Sequence, residues 1–135
     1  MIKFLKMKEK DIGDVLCFLK DNDIYKKDIE KQFPFTFIIK REESILGLGS
    51  FSFINNKAII KNIFVKENYR KMGLGESLLR TILYFLYISG TKIVYYLEDD
   101  TNIYNYLSKF GFSKSDVNGL YIDIEKFFSQ PCRGK

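Results

Sequence analysis

The residues that could do chemistry lie between positions 57 and 90. There a β-rich run meets Arg70-Lys71-Met72-Gly73-Leu74-Gly75 and then a long amphipathic stretch. Ala58-Ile59-Ile60-Lys61-Asn62-Ile63-Phe64-Val65 predicts a strand that delivers the chain to a basic, glycine-bearing loop. That loop opens into a helix expected from Glu76 to about Ser89. Amide N–H groups at a helix start lack intrahelical acceptors and sit at the positive end of the helix dipole, so they bind phosphate oxygens. Glycines at 73 and 75 remove side chains that would hold a pyrophosphate away from those amides. The segment reads as a phosphate cradle.

Spacing narrows the kind of cradle. A Walker loop needs Lys-Ser or Lys-Thr after its last glycine, where this chain has Glu76-Ser77. The dinucleotide fingerprint needs a third glycine, where Leu78 stands. What remains is Arg-x-x-Gly-x-Gly after a strand ending in Ile63-Phe64-Val65, with Glu67-Asn68-Tyr69 between them. Further on, Tyr106-Leu107-Ser108-Lys109-Phe110-Gly111-Phe112 gives an aromatic-bearing helix ending in Gly-Phe. Across residues 57 to 112 the chain resembles the GCN5-related N-acetyltransferases (GNAT), whose motif A cradles the pyrophosphate of acetyl-CoA.

The resemblance implies an α/β fold with α+β layering. Its single mixed, largely antiparallel central sheet of about six to seven strands is flanked by helices, and its central parallel strands splay apart. It implies acetyl-CoA as co-substrate, no metal, and a primary amine as acceptor, on a small molecule or a protein. Carried over by position, Ile63, Phe64 and Val65 would meet pantetheine and acetyl through main-chain groups. Arg70, Lys71, Gly73, Leu74 and Gly75 would hold the pyrophosphate, with Asn102 (or Asp100, by the count from Gly111) as a further coenzyme contact.

Catalysis fits the family less closely. Direct transfer needs a group to take the amine proton and an acid for the departing thiolate. The chain has no histidine. Lys61 stands where some members place a glutamate base, so Glu98, beside Asp99 and Asp100, is the better-placed carboxylate. Leu107 occupies the family's usual tyrosine position, which leaves Tyr106, then Tyr104, as acid. Two readings follow: an active N-acetyltransferase using Tyr106 and Glu98, or a catalytically weak acetyl-CoA sensor regulating a partner protein.

The elements that must position these groups follow an alternating order. Residues 2 to 7 predict a strand, Asp11 caps a helix to about Asp21, and a second helix is expected from Asp23 to Gln32, ended by Pro34. Strands at 35–40, 45–53 and 57–65 form a meander through Arg41-Glu42-Glu43-Ser44 and Asn55-Asn56. Leu78, Leu79, Ile82, Leu83 and Leu86 mark the buried stripe of the long helix, and Gly90 ends it. A parallel strand at 91–97, a helix at 101–110 and a hairpin turning at Asn118-Gly119 complete one domain over 1–128. A mobile tail is expected from 129 to 135.

Composition sets the remaining bounds. With 135 residues, 46% of them hydrophobic, including 13 Phe and 9 Tyr, the chain can bury a real core. No apolar run reaches the ~18 residues of a membrane span, and Met1-Ile2-Lys3-Phe4-Leu5-Lys6 lacks the features of a secretory leader, so a cytoplasmic protein is expected. Cys17, in an apolar run, is expected to be buried, and Cys132 to be an exposed thiol. The formal net charge is +5, and residues 57 to 80 hold six Lys or Arg against two Glu. That local field suits a coenzyme with several phosphates; nucleic-acid binding is disfavoured because the rest of the chain is nearly neutral. A monomer or homodimer is expected.

Overall fold

The computed structural model describes residues 1–116 and 118–129. Among them seven strands form a mixed sheet in the order β1-β2-β3-β4-β5-β7-β6. The strands are β1 (Ile2–Lys6), β2 (Thr36–Arg41), β3 (Ser44–Ile54), β4 (Lys57–Val65), β5 (Ile93–Tyr96), β6 (Ser113–Lys114) and β7 (Leu120–Asp123). The helices are α1 (Ile12–Asp21), α2 (Leu74–Ile88), α3 (Thr101–Phe110) and α4 (Ile124–Ser129). By contact density the chain divides into two compact units. The first takes Met1–Ser52 and Lys61–Ile82; the second takes Phe53–Ile60 and the chain from Leu83 onward.

In the first unit β1 pairs antiparallel with β2, Ile2 opposite Arg41, and β2 pairs antiparallel with β3, Thr36 opposite Ser50. Period-two alternation sends successive side chains to opposite faces. On one face Ile38, Ile45 and Leu48 meet Val15, Phe18 and Leu19 of α1, with Phe64 edge-on to Phe18 at 5.9 Å. On the other face lie Gly47 and Gly49. A Cβ on Gly49 would meet Ile82 Cδ1 at 2.8 Å, Leu78 Cδ2 at 3.2 Å and Ile63 Cδ1 at 3.3 Å. One on Gly47 would stand 2.6 Å from the Phe64 carbonyl oxygen. Gly49 is therefore a packing device that lets the first half of α2 lie close on the sheet, whereas Gly47 makes room for the β4 backbone at Phe64 and Val65.

In the second unit β4 and β5 run parallel, from Lys57 opposite Ile93 to Ile60 opposite Tyr96. There β5 ends, whereas β4 continues through Lys61 to Val65. β7 pairs antiparallel with β5 and β6. The long helix stops at Gly90 (φ +94), where Gly90 N–H donates to Tyr87 O at 3.1 Å and Thr91 N–H to Leu86 O at 2.9 Å. These two bonds make a Schellman closure that only a residue tolerant of positive φ completes cheaply.

Several sequence expectations change. Residues 23–28 are not helical: Asp23 (φ 57) and Asp28 (φ 68) are left-handed, which breaks any regular helix there. The helix that does form is 3-10, Ile29–Phe35, and holds Pro34 inside it. Asp11 makes no side-chain cap on α1. Its carboxylate accepts from Lys8 N–H at 2.9 Å and pairs with Lys40 Nζ at 3.5 Å, bracing the entry to α1 against β2. Cys17 is exposed, because it falls off the Val15–Phe18–Leu19 stripe by about 100° of helical rotation. β5 is shorter than expected, α2 begins at Leu74, and α4 was not foreseen. Of the mobile tail expected from 129 to 135, Ser129 instead ends α4, and the rest, with Cys132, lies outside the described residues.

Candidate functional site

The first unit carries the cradle. From Val65 the chain passes through a 3-10 turn, Glu67–Tyr69, to Arg70. Arg70 Nε donates to the Val65 carbonyl at 2.7 Å, and the guanidinium lies 5.1 Å from the centre of the Phe64 ring. One donor of the fork is thus spent on fixing the side chain; the Nη groups extend from an exposed residue. Arg41 is held in a similar way, Nη2 donating to Tyr69 Oη at 2.6 Å with its guanidinium 5.0 Å from that ring.

Lys71 then takes a left-handed conformation (φ 67), followed by Gly73 (φ 80). A Cβ on Gly73 would find nothing within 4 Å, so the space above this backbone is open. Ser77 N–H donates to Gly73 O at 3.1 Å, the first turn of α2, which leaves the amides of Leu74, Gly75 and Glu76 without intrahelical acceptors. The Leu74 side chain is buried, so only its backbone can contribute outward. Gly75 lies inside the first helical turn, where alanine would be favoured by ~1 kcal/mol. Glu76 is paired with Arg80 at 3.4 Å. Open backbone, oriented amides and two exposed cations here have the chemistry that suits an anion.

Strand geometry orients the groups before the cradle. Lys66 N–H donates to Leu46 O of β3 at 2.7 Å, whereas the Val65 carbonyl turns away to Arg70. Period-two alternation places the peptide groups of Ile63 on the same side as those of Val65, away from β3. A cavity of about 180 Å³ lies elsewhere in this unit, lined by Met7, Lys8, Glu9, Ile12, Phe33 and Pro34. It contains none of the cradle residues and its lining is mainly apolar, so it does not suit a pyrophosphate.

The second unit carries the remaining candidates. Glu98 and Asp99 are exposed in the segment after β5. Asp100 is the cap of α3: one carboxylate oxygen accepts from Asn102 N–H at 3.0 Å and Ile103 N–H at 3.2 Å. Asn102 is exposed in the first turn. The Tyr106 hydroxyl is shielded from solvent, and Leu107 is fully buried. Tyr104 directs its hydroxyl at the Gly119 carbonyl, 3.5 Å away. Among the described residues no group of three His, Cys, Asp or Glu is placed to hold a metal ion.

Sequence reasoning passed over Tyr96, whose side chain is 2% exposed under the acidic segment. Its phenol is pushed up to about 12, first by burial, then by the Asp100 and Glu98 carboxylates, while the Asp100 backbone N–H bonded to it pulls the other way. A phenol whose folded value lies above its unfolded value of about 10 stabilises the fold below pH ~10 and loses that contribution as pH rises through about 12. Wild-type protein should therefore lose about 1–2 kcal/mol of stability between pH 10 and 12 that Tyr96→Phe does not lose, as read by urea denaturation at each pH. Parallel curves for the two proteins would refute this.

Residues 8–112 match the profile of the acetyltransferase (GNAT) family. The chain belongs to that family. Solved structures of the same fold include the N-acetylglutamate synthase of Neisseria gonorrhoeae complexed with coenzyme A and N-acetylglutamate. It shares 15% identity at a TM-score of 0.72 over 86% of this chain and 29% of that one. A GNAT acetyltransferase from Staphylococcus aureus aligns at 18% identity and a TM-score of 0.68, covering 92% of this chain and 99% of its own. Ard1 from Thermoplasma volcanium aligns at 20% identity and a TM-score of 0.69, covering 84% of each chain. The GNAT chain thus spans about 29% of the gonococcal synthase but nearly all of the staphylococcal protein. No curated protein matches it in sequence. Among the described residues no helix is long and apolar enough to cross a membrane.

Proposed function

We propose that this GNAT protein transfers an acetyl group from acetyl-CoA to a primary amine by direct attack. The start of α2 carries the reading. Gly73 offers open backbone at positive φ, the first amides of α2 lack intrahelical acceptors, and Arg70 is already oriented by Val65 and Phe64. Arg70, Lys71 and the main chain of Gly73, Leu74 and Gly75 hold the pyrophosphate. Main-chain groups of Ile63, Phe64 and Val65 take the pantetheine arm and acetyl end as an added strand, since β4 runs on past its last β5 partner. Asn102 contacts the coenzyme from the start of α3.

The amine attacks as a free base: its lone pair forms the C–N bond, the thioester C–S bond breaks, and the thiolate takes up a proton. Tyr106 supplies that proton. The proton lost by nitrogen passes to Glu98, directly or through water, and the Glu98–Asp99 pair also draws a cationic amine in. Leu107, buried where the family usually has its tyrosine, is the observation behind a second reading, a weakly catalytic acetyl-CoA sensor.

Arg70→Ala should weaken acetyl-CoA binding by about 1–3 kcal/mol, the scale of a hydrogen bond to a charged group. Calorimetry checks the binding, and CoA release across a panel of amines checks transfer. Wild-type affinity in the variant would remove Arg70 from the cradle. Coenzyme binding with no turnover on any amine would favour the sensor.

A further inference from the structure

Three polar side chains converge in the first unit beside the face that Leu48 and Phe64 turn to α1. Asn62 Nδ2, from β4, donates to Gln32 Oε1 at 2.6 Å and to Ser50 Oγ of β3 at 2.7 Å. Ser50 Oγ donates to Gln32 Oε1 at 3.0 Å. The backbone behind Gln32 is pinned as well: Thr36 Oγ1 donates to the Gln32 carbonyl at 2.7 Å, and Met7 N–H to Thr36 O at 2.8 Å. Burying polar side chains in a sheet is costly unless they bond, and apolar residues would fill the space at less expense if packing were the sole purpose.

The bonds leave a remainder. Gln32 Oε1 takes two donors and Asn62 Nδ2 makes two donations, so what is left is one acceptor, Asn62 Oδ1, and one donor, Gln32 Nε2. Neither has a protein partner among the described residues, and neither is sealed from solvent. The cluster is neutral and half-satisfied.

We propose that Asn62 and Gln32 recognise the acceptor, and that the acceptor is a primary amine next to an amide carbonyl, as at the free amino terminus of a peptide. This rests on the acetyl-transfer reading above. Asn62 Oδ1 accepts from the amine N–H, and Gln32 Nε2 donates to the neighbouring carbonyl. Asn62 immediately precedes Ile63, whose main chain meets the acetyl end in that reading, so the bound nitrogen lies within reach of the thioester carbon. A polyamine offers no acceptor to Gln32 Nε2, and binding it would desolvate that donor without replacement.

The test compares a tetrapeptide with a free amino terminus against spermidine, each with acetyl-CoA, in steady-state kinetics. Wild type should show a kcat/KM for the peptide at least about tenfold above that for spermidine. Gln32→Glu keeps the oxygen that accepts from Asn62 and Ser50 but removes the donor. It should raise the peptide KM about tenfold while acetyl-CoA affinity and Tm stay as in wild type. Asn62→Ala should raise the same KM at least as much, with folding followed by circular dichroism. Unchanged peptide KM in both folded variants, or a wild-type preference for spermidine, would overturn the proposal and leave acetyl transfer standing. If wild type binds acetyl-CoA yet releases no CoA with these two or with any other amine of the panel, the transfer reading fails and takes this inference with it.

Discussion

Gly73→Val is expected to lower acetyl-CoA affinity by roughly a hundredfold or more, because two or more charged hydrogen bonds of about 1.5–3 kcal/mol each are lost together. No protein atom lies within 4 Å of where the new Cβ would stand, so the Cβ itself meets no obstacle in the protein. It projects instead into the open space beside the first amides of α2, where the phosphate must approach. The backbone adds a cost of its own, since φ of +80 is a conformation that a β-branched residue adopts poorly. Asparagine tolerates that region better, so Gly73→Asn separates strain from blockage. Thermal denaturation without ligand measures the strain, and calorimetry with acetyl-CoA measures both. A valine variant that is folded and binds with wild-type affinity would show that the phosphate does not lie over Gly73, and the coenzyme assignment would fall with it.

The parts of the site legible in the sequence are those whose chemistry depends on backbone conformation. A glycine pair after an apolar strand and before an amphipathic helix implies open amides wherever it occurs, and Gly73 has both the positive φ and the clearance. α3 has its expected bounds, Thr101 to Phe110, and the structure shows Asp100 capping its start and Gly111 its end. Local pattern was less dependable at Asp11. A cap residue by type, Asp11 instead pairs with Lys40, a partner distant in sequence that no local pattern can supply.

The acceptor side was invisible for a related reason. Gln32, Ser50 and Asn62 come from three separate elements, and each looks like an ordinary polar residue until the sheet register brings them together. Asn62, the polar interruption in the otherwise apolar run Ile59 to Val65 apart from Lys61, was the signal that could have found the cluster. Tyr96 escaped similarly, since its perturbation depends on burial and on carboxylates gathered by a turn.

Tyr106→Phe carries the largest expected effect on turnover, a loss of about ten- to a thousandfold, with KM for acetyl-CoA and Tm nearly unchanged because the ring still packs. Departure of the thiolate from CoA is easier when an acid stands within hydrogen-bond reach. Tyr106 is one position from Leu107, about 100° around α3 from the fully buried face. Its hydroxyl is nevertheless shielded from solvent. Tyr104 is the weaker candidate, since its hydroxyl faces the Gly119 carbonyl. If Tyr106→Phe and Tyr104→Phe both leave kcat unchanged, α3 supplies no acid. Water could then protonate the thiolate, and a slow wild-type rate under those conditions would favour the acetyl-CoA sensor. A large loss confined to Tyr106→Phe would instead show that the helix donates its proton from a position adjacent to the family's usual one.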